Sequence, residues 1–197
     1  MGNIFFTADT HIGHEKALKY LPGRPFASET DITAHDKWLT DLWQSTVGKH
    51  DRIYHGGDLT FYKSEDARRL LEKLPGEKFL AIGNHDDSVR AHLHHFRKAS
   101  QIMEITIKQS VCDFLEEDLK IVLCHYPLLD WPGKHDGAVM LHGHCHGTMD
   151  DFNTRSQDLR FDIGIDGALA RRAGGFIDIK TLYDAINEKR NEIRNNH

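Results

Sequence analysis

The stretch KFLAIGNHDD, residues 78 to 87, joins an apolar strand pattern directly to a run of polar side chains. Residues 78 to 82 are typical of a buried strand, and Gly83 ends it. The chain then continues with four side chains that bind cations or carry protons, Asn84, His85, Asp86 and Asp87. Taken alone, such a run is usually a surface turn. Its meaning therefore depends on whether the other strands end in similar residues.

The same pattern recurs along the chain. The apolar segments that end in ligand-type residues are 3–8, 51–55, 78–82, 119–124 and 138–142. Besides the run above, they lead to Asp9, His11, Asp58, His125, His144 and His146. In an α/β sheet the carboxyl ends of parallel strands share one edge, where ligand sites form. These side chains are therefore expected to converge, although they span most of the chain.

Each of these residues also has an ordinary interpretation as a hydrogen-bonded or surface polar group. The histidines at 92 to 95 and His197 are expected to be of this kind. Five strand ends in register are harder to explain in this way, because every buried polar group would need its own hydrogen-bond partner. A shared cation would supply those partners together.

Apolar periodicity predicts an α/β fold in a single domain over residues 1 to 197. The predicted helices are 31–47 with Asp31 as its cap, 64–76 with Ser64 as its cap, a short one across 88–96, and 181–193. Besides the segments above, strands are predicted at 102–108 and 159–165, and residues 110 to 125 are predicted to form a hairpin that turns at the acidic residues 116 to 118. Because strands cluster in the later half, layered mixed sheets are expected.

Composition limits the classes of function. The net charge is −5 and the pI is near 6.3, so the chain lacks the basic field that gathers nucleic acid in bulk. The N-terminal apolar run is too short for a secretion signal or a membrane span, so no membrane association is expected. Three widely spaced cysteines suit a reducing cytoplasm, which is the expected location. Fifteen histidines are the compositional outlier.

The ordered motifs resemble the calcineurin-like metallophosphoesterase family, in particular its small bacterial and phage members. That family carries D-x-H, G-D, G-N-H-D/E, a lone histidine and G-H-x-H. This chain carries DTH at 9–11, GD at 57–58, GNHD at 83–86, His125, and GHCH at 143–146. The resemblance covers residues 9 to 146. It implies a four-layer α/β/β/α sandwich, two mixed β-sheets flanked by helices, with two divalent transition-metal ions at the strand ends.

The resemblance also implies a ligand set. The first metal would take Asp9, His11 and His146, the second would take Asn84, His125 and His144, and Asp58 would bridge both. Carboxylate and imidazole ligands suit Mn²⁺, the expected ion, or Fe, Zn²⁺ or Ni²⁺. Cys145 is expected to face away from the metals. Because Asn84 is an uncharged oxygen ligand, it would not cancel any of the charge of the metal ions. About one positive charge would then remain at the metal centre to attract a phosphate.

The expected activity is hydrolysis of a phosphate ester by in-line attack of a metal-bridging hydroxide. His85 is expected to protonate the leaving oxygen, and Asp86 to orient its ring. A phosphodiester is favoured because the sequence has no large insertion that could cap the cleft. A phosphomonoesterase or nucleotidase with the same site is the alternative, and a non-catalytic metal-binding scaffold is a third. A protein phosphatase is disfavoured because no D-R-G triplet follows Asp58.

Three residues are candidate contacts to a small phosphate ester or nucleotide-type substrate. Arg24, within GRPF at 23–26, is a candidate phosphate clamp, and the alternative is a surface salt bridge. His14 is a candidate substrate contact or a buried structural residue. Trp131, in the loop 126–137, either stacks on a nucleobase or packs against the neighbouring prolines. The oligomeric state is not predicted.

Overall fold

The computed structural model describes residues 2–21, 23–24 and 32–195, which form two β-sheets with helices packed around them. The strands are β1 (Ile4–Thr7), β2 (Arg52–His55), β3 (Glu77–Ala81), β4 (Lys98–Ser100), β5 (Ile102–Ile107), β6 (Leu119–Cys124), β7 (Val139–His142), β8 (Arg160–Asp162) and β9 (Ile177–Asp178). The helices are α1 (Ala17–Tyr20), α2 (Ile32–Thr46), α3 (Ser64–Lys73), α4 (Asp87–Arg90), α5 (Asp150–Arg155), α6 (Ala168–Ala173) and α7 (Ile179–Asn195).

Both sheets are mixed. The first has the order β4-β3-β2-β1-β9, in which β1 to β4 run parallel and β9 pairs antiparallel with β1. The second has the order β5-β6-β7-β8, in which only β5 is antiparallel to its neighbour. The two sheets meet where Ala8, just beyond β1, pairs with Gly164, just beyond β8. The carboxyl ends of the parallel strands are therefore brought to one region.

Strand β1 is buried on both faces, which explains its uninterrupted apolar run. Ile4 and Phe6 belong to the cluster that also holds the inner residues of β5, β6 and β7 together with one face of α7. Phe5 points the other way and belongs to the cluster formed with α2 and α3. Helix α3 follows from its sequence, because acids occupy its first turn, Lys73 its last, and Ala67, Leu70 and Leu71 its buried stripe.

The structure confirms an α/β fold with two mixed sheets flanked by helices. The predicted hairpin is wrong in detail: its strands are β5 and β6, and the connection is the whole of residues 108 to 118. Helix α3 begins at Ser64 with Lys63 as its cap, so Ser64 is not the cap. Asp31 and His197 lie outside the described residues. Strands β4 and β9 and helices α5 and α6 were not predicted, because segments of two to six residues are too short to show a period.

None of the helices within the described ranges combines the length and the apolar character that crossing a bilayer requires.

Candidate metal centre

The strand ends meet, and they form two overlapping groups of potential ligands. One ligand atom from each of Asp9, His11 and His146 lies within 4.8 Å of the other two. The same holds for Asp9, Asp58 and His125. These residues come from the ends of β1, β2, β6 and β7, as the sequence predicted. Folding thus gathers side chains that are more than a hundred residues apart.

Asp58 lies between the two groups. Its Oδ2 is 3.6 Å from Nε2 of His11 and 3.5 Å from Nε2 of His125. Asn84 belongs on the second side, because its Oδ1 is 2.9 Å from Nε2 of His125. The ring of His144 is on that side too, with its centroid 5.0 Å from that of His125. The resemblance implied that Asp58 would be shared, and Asp58 does lie between His11 and His125, but the residue common to the two groups is Asp9. The assignment of each ligand to one metal stays a prediction.

Backbone strain is concentrated at these residues. Among the described residues, the non-glycine positions with positive φ are Asp9, His11, Asp58, His144 and His146. Each belongs to the predicted ligand set. The left-handed region costs an ordinary residue about 1–2 kcal/mol, so a fold keeps it where the surroundings or a function require it. The strain points to a site for which side-chain direction matters more than local backbone energy.

Two glycines allow the carboxylates to approach the backbone. A Cβ on Gly83 would stand 2.2 Å from Oδ1 of Asp58, and a Cβ on Gly143 would stand 2.5 Å from Oδ2 of Asp9. Any side chain at either position would therefore displace a ligand. This explains the glycines that begin GNHD and GHCH in physical terms.

His11 is buried without any hydrogen-bond partner in the described structure. It is 4% exposed, and neither Nδ1 nor Nε2 is bonded. Burial, with the nearby His146 and Arg24, lowers the pKa of this imidazole to about 2. A neutral, buried imidazole with an available lone pair is the form that binds a metal ion. The missing partner fits a cation beside Asp9 and Asp58.

Two of the histidines from the second sheet, His125 and His146, are oriented through their second nitrogens. Nδ1 of His146 is 2.8 Å from Oδ2 of Asp166, and Nδ1 of His125 is 2.9 Å from the carbonyl of Gly56. Because an unprotonated carboxylate and a carbonyl only accept, each Nδ1 donates and each neutral ring keeps a lone pair on Nε2. Such partners fix the tautomer and the direction of metal-binding histidines.

Burial and neighbouring carboxylates raise the pKa of Asp9 at the centre. Burial raises the pKa of Asp9 well above its usual value, and Asp162 and Asp58 add to the effect. Burial likewise raises the pKa of Asp162 to about 6. The backbone N–H of His144 offsets part of this by donating to both oxygens of Asp9 at 3.1 and 3.0 Å. Crowded, buried carboxylates of this kind are stabilised by cations.

The prediction that Asp86 orients His85 is wrong. Asp86 is fully buried, and its carboxylate accepts the backbone N–H groups of Asp58, Leu59 and Gly83 at 2.8 to 2.9 Å. It therefore joins the G-D turn after β2 to the G-N-H-D turn after β3. The adjacent numbering of His85 and Asp86 suggested a pair, but neighbours in a turn point in different directions.

His85 is held by other groups. It is exposed, and its backbone N–H donates to Oδ1 of Asp58 at 2.9 Å. Its ring lies against Phe61, with centroids 4.8 Å apart. Phe61 also stacks on His14 at 4.0 Å and on His11 at 5.2 Å. His14 is half-buried beside the centre, and burial lowers its pKa, so its position suits a neutral group at the wall of the site.

Arg24 is neither a phosphate clamp nor a surface salt bridge. It is 5% exposed, and its five N–H groups are all taken up within the protein. Nε and one N–H of NH2 bind Asp166 in a bidentate pair at 2.9 and 2.8 Å. The others reach the carbonyls of Asp9 and Thr10 and the ring of His35. Because Asp166 also holds His146, Arg24 supports a ligand indirectly.

Trp131 does not face a substrate. It is 5% exposed, its Nε1 donates to the carbonyl of Ala138 at 3.0 Å, and it packs against Val122 and Met140 on one face of the second sheet. Packing rather than stacking is confirmed, and the partners that the structure shows are these sheet residues, whereas the neighbouring prolines had been predicted. The exposed aromatic at the mouth is instead Tyr126, whose ring centroid is 4.7 Å from that of His144.

Sequence reasoning missed Asp162 and Asp166. Asp166 follows the predicted strand 159–165, and Asp162 lies inside it but ends the observed strand β8. The signal that identified the other candidate ligands was therefore present at a sixth strand end. Oδ1 and Oδ2 of Asp162 accept the N–H groups of Gly164 and Gly147, which fixes the chain on either side of the centre. Phe61 was missed because an isolated phenylalanine carries no signal of its contacts.

No family model matches the chain. Among curated proteins, the gene 66 protein of Mycobacterium phage L5 is 26% identical over 210 residues, covering 95% of each chain. The gene 66 protein of Mycobacterium phage D29 is 28% identical over 191 residues, covering 84% of this chain and 89% of the relative. Uncharacterized protein MJ1445 of Methanocaldococcus jannaschii is 30% identical over 155 residues, covering 77% of this chain and 74% of the relative.

One solved structure shares the fold. It is the protein of unknown function AQ665 from Aquifex aeolicus, with a TM-score of 0.66 and 18% identity, covering 94% of this chain and 100% of that one. At this identity the likeness concerns the fold alone. The archaeal relative supports a closer relationship, because its identity extends over most of both chains. The chain belongs to the family of the Methanocaldococcus jannaschii protein MJ1445.

Proposed function

We propose that this protein is a metal-dependent phosphoric ester hydrolase with the calcineurin-like metallophosphoesterase fold, and that a phosphodiester is its favoured substrate. The observation that carries the proposal is the pair of ligand groups that share Asp9 and are joined by Asp58. Enzymes that hydrolyse phosphate esters commonly use a two-metal site in which a carboxylate is shared by the two divalent ions. The strain at five of the seven ligand positions supports the same interpretation.

The donor set fits two divalent transition-metal ions. Asp9, His11 and His146 would hold the first, Asn84, His125 and His144 the second, and Asp58 both. Oxygen and imidazole ligands with no thiolate among them suit Mn²⁺ best here, with Fe, Zn²⁺ or Ni²⁺ as substitutes. When bound, the ions would polarise the phosphate and supply a nucleophile from water at neutral pH.

The residues of the chain divide the remaining work. Asn84 ligates without adding negative charge, which preserves the attraction for the phosphate. His85 stands exposed at the mouth with its backbone tied to Asp58 and its ring against Phe61, so it can donate a proton to the leaving oxygen. His14 is a substrate-facing candidate because it shares the Phe61 platform.

The exposed residues around the candidate metal centre favour a phosphodiester as the substrate. Asn84, His85 and Tyr126 are all exposed around the buried Asp9 and Asp58. A diester has substituents on both sides of phosphorus, so it needs a site that is open on more than one side. A phosphate monoester has no such requirement.

The test is metal reconstitution. The protein is stripped with a chelator and reloaded separately with Mn²⁺, Fe²⁺, Zn²⁺ or Ni²⁺, and hydrolysis of bis-nitrophenyl phosphate is compared with that of nitrophenyl phosphate. We expect Mn²⁺ to restore the highest rate and the diester to be preferred. Metal binding without hydrolysis of either ester would favour the scaffold and overturn the proposal, while hydrolysis of the monoester alone would convert it to a phosphomonoesterase.

The role of His85 has its own test. We expect His85→Ala to retain both metals and to lose most of its turnover, roughly 10²–10⁴-fold, on esters with poor leaving groups. Activated nitrophenyl esters should be affected much less, because their leaving oxygen does not need the proton. The matched control is His94→Ala, which removes an exposed histidine outside the site. Equal losses on both classes of ester would contradict a general-acid role.

A further inference from the structure

Tyr126 is an exposed aromatic residue in contact with the candidate metal centre. It follows His125 directly in the chain and is 47% exposed. Its ring centroid is 5.1 Å from that of His125 and 4.7 Å from that of His144, and the ring planes are inclined by 72° and 61°. Both histidines belong to the second group of candidate ligands. One side of the tyrosine ring therefore lies against these ligands, while the remainder faces solvent.

The segment that carries Tyr126 is fixed on both sides. His125, before it, is buried, and its ring is held by the chain. After it, the carbonyl of Leu128 accepts a hydrogen bond from Nη1 of Arg160 at 2.9 Å, and the side chain of Leu128 packs into the cluster around Trp131. A side chain on a segment held in this way needs little further ordering when a ligand binds to it.

The hydroxyl of Tyr126 has no hydrogen-bond partner among the described residues. Two other tyrosines differ in this respect. The hydroxyl of Tyr62 donates to Oδ2 of Asp36 at 2.7 Å, and that of Tyr183 accepts the backbone N–H of Glu116 at 3.3 Å. A tyrosine that serves packing is usually buried and bonds through its hydroxyl. Contact with a ligand explains the position of Tyr126 better than a contribution to packing does.

Phe61, the aromatic ring beside the first group of ligands, is already covered. It is half-buried, it stacks on His14 with centroids 4.0 Å apart and planes inclined by 8°, and it also lies against His11 and His85. Within the described ranges, Tyr126 is the one phenylalanine, tyrosine or tryptophan that makes a ring contact to a candidate ligand and is also exposed. Aromatic surface is therefore open to a substrate at Tyr126.

We propose that Tyr126 determines substrate specificity by binding a flat aromatic ring carried by the phosphate ester, so that the substrate is an ester with at least one ring-bearing substituent. The inference rests on the proposed function, because it takes phosphorus to be held at the metal centre. A substituent projects away from phosphorus, and Tyr126 lies directly beside two of the ligands there. Offset or edge-to-face contact between the two rings buries apolar surface of both. The contact distinguishes esters by their substituent and leaves recognition of the phosphate unchanged.

Equilibrium binding of two phosphonates tests this role without turnover. Phenylphosphonate and methylphosphonate carry the same phosphorus group, differ in the ring, and have a C–P bond in place of the ester bond. Calorimetric titration of the Mn²⁺-loaded protein should show tighter binding of phenylphosphonate. In Tyr126→Ala this preference should fall by roughly three- to tenfold, while the affinity for methylphosphonate stays the same. Elemental analysis checks that the variant keeps its metals.

Two further variants make the test specific. Tyr126→Phe retains the ring and should keep the wild-type preference. Phe152→Ala is the matched control, because Phe152 is 49% exposed and makes no ring contact with a candidate ligand in the described part of the chain. Its preference should be unchanged.

Four outcomes would overturn the inference. They are no preference for phenylphosphonate in the unaltered protein, a preference that persists in Tyr126→Ala, equal weakening of both phosphonates in that variant, and a loss in Tyr126→Phe as large as in Tyr126→Ala. Failure of the proposed function has a different result. The protein would then show the preference and its loss in Tyr126→Ala but would hydrolyse no ester, so that the ring contact would stand and the hydrolase would not.

Discussion

The two sheets contribute different kinds of group to the same edge. The first sheet supplies the candidate oxygen ligands Asp9, Asp58 and Asn84 together with His11, and the second supplies the candidate histidine ligands His125, His144 and His146. The first-sheet turns are fixed through their main chain, because Asp86 binds three backbone N–H groups there. Two of the second-sheet histidines, His125 and His146, are fixed through their own rings.

This difference follows from the geometry of the side chains. A short carboxylate is placed once its backbone is placed, whereas an imidazole also needs its second nitrogen bonded to set its rotation. His11 is the exception, since it comes from the first sheet and neither nitrogen is bonded. The rings of Phe61 and His146 limit its rotation instead, with centroids 5.2 and 4.9 Å away. The centre is complete only where the two sheets meet.

The largest effect is expected at Asp58, because candidate ligands from both sheets lie against this one residue. Asp58→Asn replaces the carboxylate whose Oδ2 faces His11 from the first sheet and His125 from the second. We expect metal content and hydrolysis both to fall by more than about 100-fold, exceeding the loss typical of outer partners. Elemental analysis and ester hydrolysis measure this. Full retention of two metals would break the idea that Asp58 joins the two sheets' ligands.

Asp86→Asn tests how the turns that follow the first-sheet strands are held together through the carboxylate of Asp86. An amide cannot accept all three N–H groups, so we expect a loss of about 2–4 kcal/mol in the unfolding free energy of the metal-free protein. Chemical denaturation with a chelator present measures it, and Asp87→Asn, at an exposed neighbouring position, is the control. If Asp86 instead served His85, stability would be unchanged and only turnover would fall.

Asp166→Asn tests how the ring of the second-sheet histidine His146 is oriented. This change weakens the hold on Nδ1 of His146 and removes the partner of the buried Arg24. We expect roughly 10–100-fold weaker binding of one of the two metals, with the other retained. Competition with a coloured chelator measures the two affinities, and the exposed pair of Glu188 and Arg172 offers Glu188→Gln as a control. Equal weakening of both metals would contradict a role confined to His146.

The last expected effect, the smallest within any one pH unit, is a pH dependence of stability that arises at His55, at the end of β2. This histidine is 1% exposed, and burial lowers its pKa from 6.5 to about 3. Between these values the unfolded chain holds the extra proton and the folded chain does not. Stability is therefore lost as pH falls below about 6.5, at about 1.4 kcal/mol per pH unit for this one group.

Denaturation midpoints of the chelated protein between pH 4 and 6.5 measure this slope. The buried aspartates with raised pKa oppose it, so the informative quantity is the difference between wild type and His55→Gln. We expect the slope of stability against pH in His55→Gln to be smaller by the contribution of one proton. His94→Gln, at an exposed position, should keep the wild-type slope. Identical slopes in wild type and His55→Gln would show that His55 is not the source.

Several features could be predicted from the sequence because they depend on local pattern. Apolar segments that end in Asp, Asn or His indicated the strands and the edge at which they end, and the structure brings Asp9, His11, Asp58, His125 and His146 together there. Helices α3 and α7 follow from their buried stripes. The same pattern at Asp162 and Asp166 was overlooked.

Other features depended on contacts between distant segments. Arg24 had the chemistry of a phosphate clamp, but Asp166, 142 residues later, takes it up. Trp131 had the chemistry of a stacking platform, but the outer face of β6 and β7 buries it. Asp86 is adjacent to His85 in sequence, yet its oxygens point to the turn after β2. In each case the residue type gave the range of possible roles and the fold selected one.

The sequence by itself determined which side chains stand at the strand ends, because strand periodicity and residue chemistry are properties of short segments. Only the tertiary structure decided which nitrogen of each histidine is held, that Asp58 lies between the two groups, and that Tyr126 lies against His144. Those facts depend on how two sheets and several helices are docked. Docking is fixed by packing among residues far apart in the chain, which no local pattern records.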